Sequence, residues 1–348
     1  MNKDCRAYLP PEWSPQSGIM LTWPHATGDW GNNLAEVEGV FIHLAIQISR
    51  HEKVLIVCSD KTHQQMVERQ LRHQIPDRTR ILFGTSPSND VWARDHGPIT
   101  VMCSGVPQLL DFQFNGWGEK YPADLDNAIS PALYRQGMFR DLPLETIRMV
   151  LEAGAIEVDG SGTLMATRRS VLSSTRNPVL SQTKVEEILA HYFGIERFIW
   201  LNSGALTGDD TDGHIDTLAR FCDRDTIAYS ACDNEGDANY ASLLAMREEL
   251  EQFHSVTNSP YKLVPLPLPQ PKLDKDNNSM PATYANFLII NNAILVPTYD
   301  DAADEVALNT LQKCFPQREI IGINALPLIE QRGSLHCVTM QFPAGVLG

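Results

Sequence analysis

Long apolar runs are missing from this 348-residue chain. No window approaches the roughly 18 consecutive apolar residues that span a bilayer, so no membrane partner is expected. Positive charge is scarce as well. Lys and Arg number 28 against 43 Asp and Glu, a formal net charge of −15 that would repel nucleic acid and anionic lipid and attract a small cation. Cysteine is sparse and irregular. The seven cysteines, at 5, 58, 103, 222, 232, 314 and 337, are odd in number and form no C-x-x-C pair. That disfavours a disulfide framework or a zinc ribbon and leads us to expect most of them reduced and buried. The first residues, MNKDCRAYLPPEWSPQSGIMLTW, place Pro, Glu and Trp where a signal peptide has an unbroken apolar core, so a cytoplasmic setting is expected.

What remains is ordinary globular material, 43% hydrophobic and 20% charged, and long enough to bury a sizeable core. Leu34, Val37, Phe41, Leu44 and Ile48 recur at three- and four-residue intervals and predict a helix with one buried stripe over 33–51. VLIVC (54–58) reads as a buried strand, and helix and strand patterns then alternate to the end of the chain. Ser181 is a plausible N-cap for a helix over 181–193. Further helices are expected at 62–73, 235–253 and 302–314, and strands at 99–103, 108–114, 215–222 and 226–231. Pro265, Pro267, Pro269 and Pro271 open a polar stretch to 279 that reads as a surface loop. We see no domain boundary within 1–348. Polar entries to the middle strands, Asp95, Glu157, His214, Asn286 and Cys337, recur at separations of roughly 50 to 70 residues. Such a period predicts one α/β unit repeated about a common axis where those residues meet.

The densest polar stretch is TGDDTDGHIDTLARF (207–221), which crowds Asp209, Asp210, Asp212, His214 and Asp216. Mutual repulsion makes this unfavourable without a cationic partner, so it is a site candidate, although Asx turns alone also produce such loops. Asp210, Asp212 and Gly213 begin like a calcium loop, but the twelfth position is Phe221 and not Glu. If 214–216 is extended, His214 and Asp216 share a face. Cys337 is a nucleophile candidate because a Gly/Ser approach precedes it and a His is available elsewhere. An extended segment there would turn His336 away and leave His214 as its partner. NDVWARDHGP (89–98) combines Asp90, Trp92, Arg94 and Asp95, an acidic pocket with an aromatic wall that suits a planar cation such as guanidinium. Glu157 could orient His214.

Together DVWARDHGP, FNGWG (114–118), EAGAIEVDGSGT (152–163), DDTDGHID (209–216), YANF (284–287) and GSLHCVTMQFP (333–343) resemble the agmatine deiminase and bacterial peptidyl-arginine deiminase family. The resemblance implies a five-bladed α/β propeller of pseudo-fivefold repeats, with no metal and no organic cofactor. It implies Cys337 as nucleophile, His214 as acid and base, Asp95 and Asp216 as guanidinium clamps, Glu157 as partner of His214 and Trp92 as a pocket wall. Ala153-Gly154 stands where Gly-Gly is expected, and QRGSLHC replaces a longer glycine run. The expected partner is a small cationic guanidino compound, with a homodimer left open. Agmatine is favoured over free or peptidyl arginine because Lys120 has Glu119, Asp124 and Asp126 around it, with Arg332 as the residue that could meet a carboxylate. A Cys-His amide hydrolase is disfavoured because two carboxylates around the reacting carbon do not make an oxyanion hole. A noncatalytic guanidino or polyamine binder would not need both Cys337 and His214.

Overall fold

The structure is a computed structural model that describes residues 7–75 and 77–348. Five separate sheets share one grammar, and none closes on itself. In each, a short strand pairs antiparallel with a middle strand, which pairs parallel with an outer one. The trios are Ile99–Cys103, Val106–Gln113, Leu144–Val150; then Ile156–Val158, Thr163–Thr167, Arg197–Leu201; then Ala219–Phe221, Thr226–Ser230, Lys262–Leu266; then Leu288–Ile290, Ala293–Thr298, Glu319–Asn324. The fifth joins the two ends of the chain, Thr339–Pro343 with Gln16–Thr22 and Lys53–Cys58, and is extended by Ile81–Thr85. Parallel pairs need a long crossover, and helices supply several of them, as Leu34–Ser49 does between Gln16–Thr22 and Lys53–Cys58. Asp95, His214, Asn286 and Cys337 each precede the short strand of a unit, and Glu157 lies within one.

Local chemistry explains the helices. Leu34–Ser49 buries Val37, Val40, Phe41, Leu44, Ala45 and Ile48 on one face. Gln182–Phe193 starts where the Ser181 side chain accepts from Lys184 N–H, a cap worth about 1 kcal/mol, and stops at Gly194, whose φ is +69°. The helix expected over 235–253 is only Tyr240–Leu250, because Asp237 accepts the Asn239 N–H in a turn just before it. The Pro-rich stretch carries a small ribbon of Lys272–Leu273 with Ser279–Met280.

Three expectations need correction. The strand expected over 215–222 is a 3-10 turn, Ile215–Thr217, followed by Ala219–Phe221, because the left-handed Asp212 and Gly213 and the Thr217 hydroxyl bond to His214 O tighten the chain. Cys337 likewise lies in a turn before Thr339–Pro343, not in a strand. Of the cysteines, Cys103 is disulfide-bonded rather than reduced. Cys5 lies outside the described residues. Cys58, Cys222 and Cys337 are buried thiols, while Cys232 and Cys314 are half-buried. Among the described residues no helix is long and apolar enough to cross a membrane.

Candidate active site

The turn holding Cys337 is built by hydrogen bonds from Val338 N–H to Ser334 O (3.3 Å) and Thr339 N–H to His336 O (3.1 Å). Cys337 Sγ lies 3.2 Å from Asn286 Nδ2 and 3.8 Å from Asp216 Oδ2. Asn286 secures the turn from outside, its Oδ1 accepting the His336 N–H at 2.9 Å and the Cys337 N–H at 3.3 Å. Gly333 is required by close approach. A Cβ there would stand 2.0 Å from the Trp92 ring, so the glycine lets the indole lie against the chain leading to the thiol.

Asp95 comes from the short helix Ala93–His96. Its Oδ2 accepts from Trp117 Nε1 at 2.9 Å, its Oδ1 accepts from Gly154 N–H at 3.2 Å, and His214 Nδ1 is 3.7 Å from that oxygen. Trp117 reaches Asp95 because FNGWG turns through left-handed backbone at Gly116, Trp117 and Gly118. Gly154 has the second indispensable gap. A Cβ there would meet His214 Nδ1 at 2.7 Å, Asp95 Oδ1 at 2.8 Å and Asp216 Oδ2 at 3.2 Å. Of the Ala-Gly pair, then, the glycine stands where the room is needed.

These groups are buried, and their titration follows from that. Burial, then Asp216 and Asp95, push the Cys337 thiol well above its ordinary range. Burial raises Asp95 to about 6 despite the opposing charge of His214. Burial disfavours charge on His214, yet Asp95, Glu152 and Asp216 together raise its pKa. Burial also works against Asp216, but the hydrogen bond and charge of His336 hold it below the usual carboxylate value. Three buried atoms beside the thiol make no hydrogen bond: Asp216 Oδ1 and both nitrogens of His214. Unsatisfied buried polar atoms are costly, so their convergence is a demand for a ligand.

A cavity of about 250 Å³ reaches Cys337 and Asp95, the immediate neighbours of these atoms. Its buried end has Cys337, Asp95, Trp92 and Trp117; toward solvent stand Asp90, Asp210, Asp29 and Glu330, with Arg332. Burial raises Asp90 to about 6. Arg332 donates to Gly208 O at 2.9 Å and lies 3.8 Å from Asp210 Oδ2, which also accepts from Tyr121 OH at 2.9 Å. Lys120 is turned to Asp212 and Asp210 O instead.

The acidic stretch divides by function. Asp209 is an Asx turn, accepting from Thr211 and Gly213 N–H. Asp212 is paired with Lys120 and Arg176. Only Asp210 and Asp216 are left for the cavity and the thiol. His214 and Asp216 do converge, through the 3-10 turn rather than by strand alternation.

Two expectations about partners are corrected. Glu157 is directed to Arg220, with Phe221 N–H on its other oxygen at 3.4 Å, because Arg220 is fully buried beside it. It is Glu152, 1% exposed and bound to Arg176 Nε at 3.0 Å, whose charge bears on His214. The signal was present: EAGAIEV contains two glutamates, and Glu152 lies next to the Ala-Gly turn that faces His214. Nor does His336 face away. Its Nδ1 is 2.7 Å from Asp216 Oδ2 and its Nε2 is 2.8 Å from Glu12 Oε2. Glu12, Glu157 and His336 are the one donor trio close enough to hold a metal among the described residues, and the Arg220 guanidinium already lies between the two glutamates.

A buried thiol, an imidazole and carboxylates around one acidic cavity define a hydrolytic enzyme that modifies guanidino groups, and the comparisons agree. The chain belongs to the Porphyromonas-type peptidyl-arginine deiminase family, which it matches over residues 8–343. It is 33% identical to a protein of Vibrio parahaemolyticus named "Putative agmatine deiminase", over 97% of each chain. Among solved structures it is similar to the "Putative Arginine Deiminase" of Porphyromonas gingivalis, with 46% identity, a TM-score of 0.92, and 98% of this chain and 100% of that one covered. It is also similar to a substrate-bound agmatine deiminase of C. jejuni, with 34% identity, a TM-score of 0.91, and 99% of each chain covered.

Proposed function

We propose that this protein is an agmatine deiminase, hydrolysing agmatine to N-carbamoylputrescine and ammonia. The observation that carries the choice is the charge of the cavity in front of Cys337, where Asp29, Asp90, Asp210 and Glu330 outnumber Arg332, which Asp210 already faces. A dication with an ammonium at its far end suits such a cavity better than a zwitterion. The five sheets would be the blades of a five-bladed α/β propeller, and the unpartnered groups would meet at its axis.

Asp95 and Asp216 Oδ1 hold the guanidinium, placing its central carbon beside Cys337 Sγ, so that attack becomes effectively intramolecular. The cation neutralises the two carboxylates that keep the thiol protonated, and with substrate in place the thiol proton passes to His214, giving thiolate and imidazolium. Sulfur adds to the central carbon; the adduct then expels ammonia with a proton from His214, leaving a covalent thiouronium. His214 next takes a proton from water, the resulting hydroxide adds to the same carbon, and the C–S bond breaks as the new hydroxyl returns its proton to sulfur, giving the ureido product and the thiol, while His214 releases its proton to the departed ammonia. Asn286, donating toward Sγ, steadies the thiolate; Glu152 supports the charge on His214. Trp92 forms the wall.

Arg332 supports a second reading, arginine at a peptide C-terminus or as the free amino acid, because among the described residues it is the one guanidinium lining the cavity and could receive a carboxylate. Incubation with agmatine, arginine and a C-terminal arginyl peptide, with assay of ureido product, separates the readings. Agmatine should show the highest kcat/KM, and an equal or higher value for either arginine substrate overturns the choice. Agmatine would place the enzyme in cytoplasmic polyamine synthesis, and the Cys103 disulfide is the observation that pulls toward an oxidising compartment instead.

A further inference from the structure

Behind the thiol lies a second buried ionic cluster that the proposed reaction does not use. Glu12, in the Pro-Pro-Glu-Trp stretch near the start of the chain, accepts from His336 Nε2 at 2.8 Å, from Arg220 and from Ile289 N–H at 2.6 Å. Arg220 also binds Glu157 and donates to Phe287 O at 2.7 Å, with its guanidinium 4.8 Å from the Phe287 ring. Glu12, Glu157, Arg220 and His336 are all buried. The His336 ring is therefore clamped at both nitrogens, by Glu12 on one side and Asp216 Oδ2 on the other.

We propose that His336 and Glu12 are positioning residues for the reaction: Glu12 fixes the His336 ring, and His336 occupies Asp216 Oδ2 so that Oδ1 is presented, ionised, to the substrate guanidinium. A carboxylate with both oxygens free could rotate or take up a proton beside the thiol. With one oxygen bonded at 2.7 Å, the other has a fixed direction, and it is the oxygen without a partner. Charge follows the same route. His336 is the main influence that opposes burial at Asp216, and Arg220 and His336 hold Glu12 ionised against its own burial. Both ring nitrogens of His336 face carboxylate oxygens, at 2.7 Å and 2.8 Å, so the ring has no freedom to turn. The charged groups around His336 are Glu12, Glu157, Asp216, Arg220 and Arg94, with Cys337 adjacent in sequence.

The proposal rests on the deiminase reading, and its test is a ratio of variant to wild type. Glu12→Gln, Glu12→Asp and His336→Gln are assayed from pH 5 to 9 with agmatine and with a C-terminal arginyl peptide, folding being followed by thermal melting. A wrong substrate choice then alters only which compound the wild type prefers. Glu12→Gln and His336→Gln should each lower kcat/KM at least tenfold per folded molecule. Their acid limb should move to higher pH, because buried Asp216 ionises less readily once its contact with His336 is lost or loosened. Glu12→Asp, which keeps the charge, should recover part of the loss. A folded Glu12→Gln or His336→Gln enzyme with an unmoved acid limb, or rates falling only with the folded fraction, would overturn it. If one variant does not fold, the other carries the same reading.

Discussion

The two sides of Cys337 are equally buried and comparably charged, yet they differ in one respect. Behind it, each charged atom of Glu12, Arg220 and Glu157 has a partner: Arg220 meets both glutamates and two carbonyls, and the remaining carboxylate oxygens take the backbone N–H groups of Ile289 and Phe221. In front, Asp216 Oδ1 and both His214 nitrogens make no hydrogen bond, and His214 Nδ1 comes only within 3.7 Å of Asp95 Oδ1. Buried charge that is fully paired holds the fold, whereas unbonded buried polar atoms grouped beside a nucleophile at a cavity's end are reserved for something that enters. Lone unpartnered atoms elsewhere, such as Trp23 Nε1, do not converge on a cavity with a nucleophile, so it is the convergence that separates a site from a packing defect.

That contrast breaks most sharply at the thiol. Cys337→Ser should reduce turnover about a thousandfold or more while leaving the melting temperature nearly unchanged, since it removes a soft nucleophile and little volume. Retention of more than a few per cent of the rate would mean that sulfur is not the attacking atom. On the other side, Arg220→Leu should lower unfolding free energy by about 3–5 kcal/mol, because Glu12 and Glu157 would remain buried without their cation. Denaturant titration reads this directly. A loss under about 1 kcal/mol would show that the rear cluster is not a structural one.

Next in size, Asp216→Asn or Asp95→Asn should lower kcat/KM more than about a hundredfold, roughly 3 kcal/mol, by removing a charge-assisted contact to the guanidinium. Near-normal kinetics in either variant would break the assignment of front-facing carboxylates to substrate. The pH profile sharpens it. Asp95, raised to about 6 by burial, is neutral below that pH and cannot clamp a cation. The kcat/KM of the wild type should therefore rise as pH increases through about 6, and a profile flat from pH 5 to 7 would contradict this.

Much of this was legible in the sequence. Apolar periodicity located Leu34–Ser49 and Gln182–Phe193, and the recurring polar positions located the short strands of the five sheets. The residue motifs pointed to Cys337, His214, Asp95 and Asp216, which the structure brings close together. What failed was direction. Reading 214–216 and the approach to Cys337 as extended chain sent His336 to the wrong face, because turn geometry depends on the Thr217 hydroxyl donating to His214 O and on Asn286 Oδ1 and Ser334 O accepting backbone N–H groups, which periodicity does not report. Choosing between Glu152 and Glu157 needed Arg220, 63 residues away from Glu157 in sequence, to be seen beside it. Glu12, more than 300 residues from His336, carried no local signal at all.

The smallest predicted effect concerns the far end of the substrate and tests whether the cavity's open end is a site as its buried end is. Arg332 has a side chain 40% exposed and Asp210 one 24% exposed, so their interaction is screened by water. An exposed charge contact of this kind contributes about 0.5–1 kcal/mol, or a two- to fivefold change in kcat/KM. The sign follows from the ligand. Arg332→Gln removes a cation that repels the distal ammonium of agmatine and frees Asp210, so KM for agmatine should fall within that range and kcat should be unaffected. For a C-terminal arginyl peptide the same change removes the one guanidinium that could meet the carboxylate, and kcat/KM should fall. Opposite movements of the two substrates in one variant exclude a general loss of folding or of nucleophile. A tenfold or larger loss with agmatine would instead make Arg332 part of the recognition of an anionic group, and would favour the arginine reading for the whole cavity.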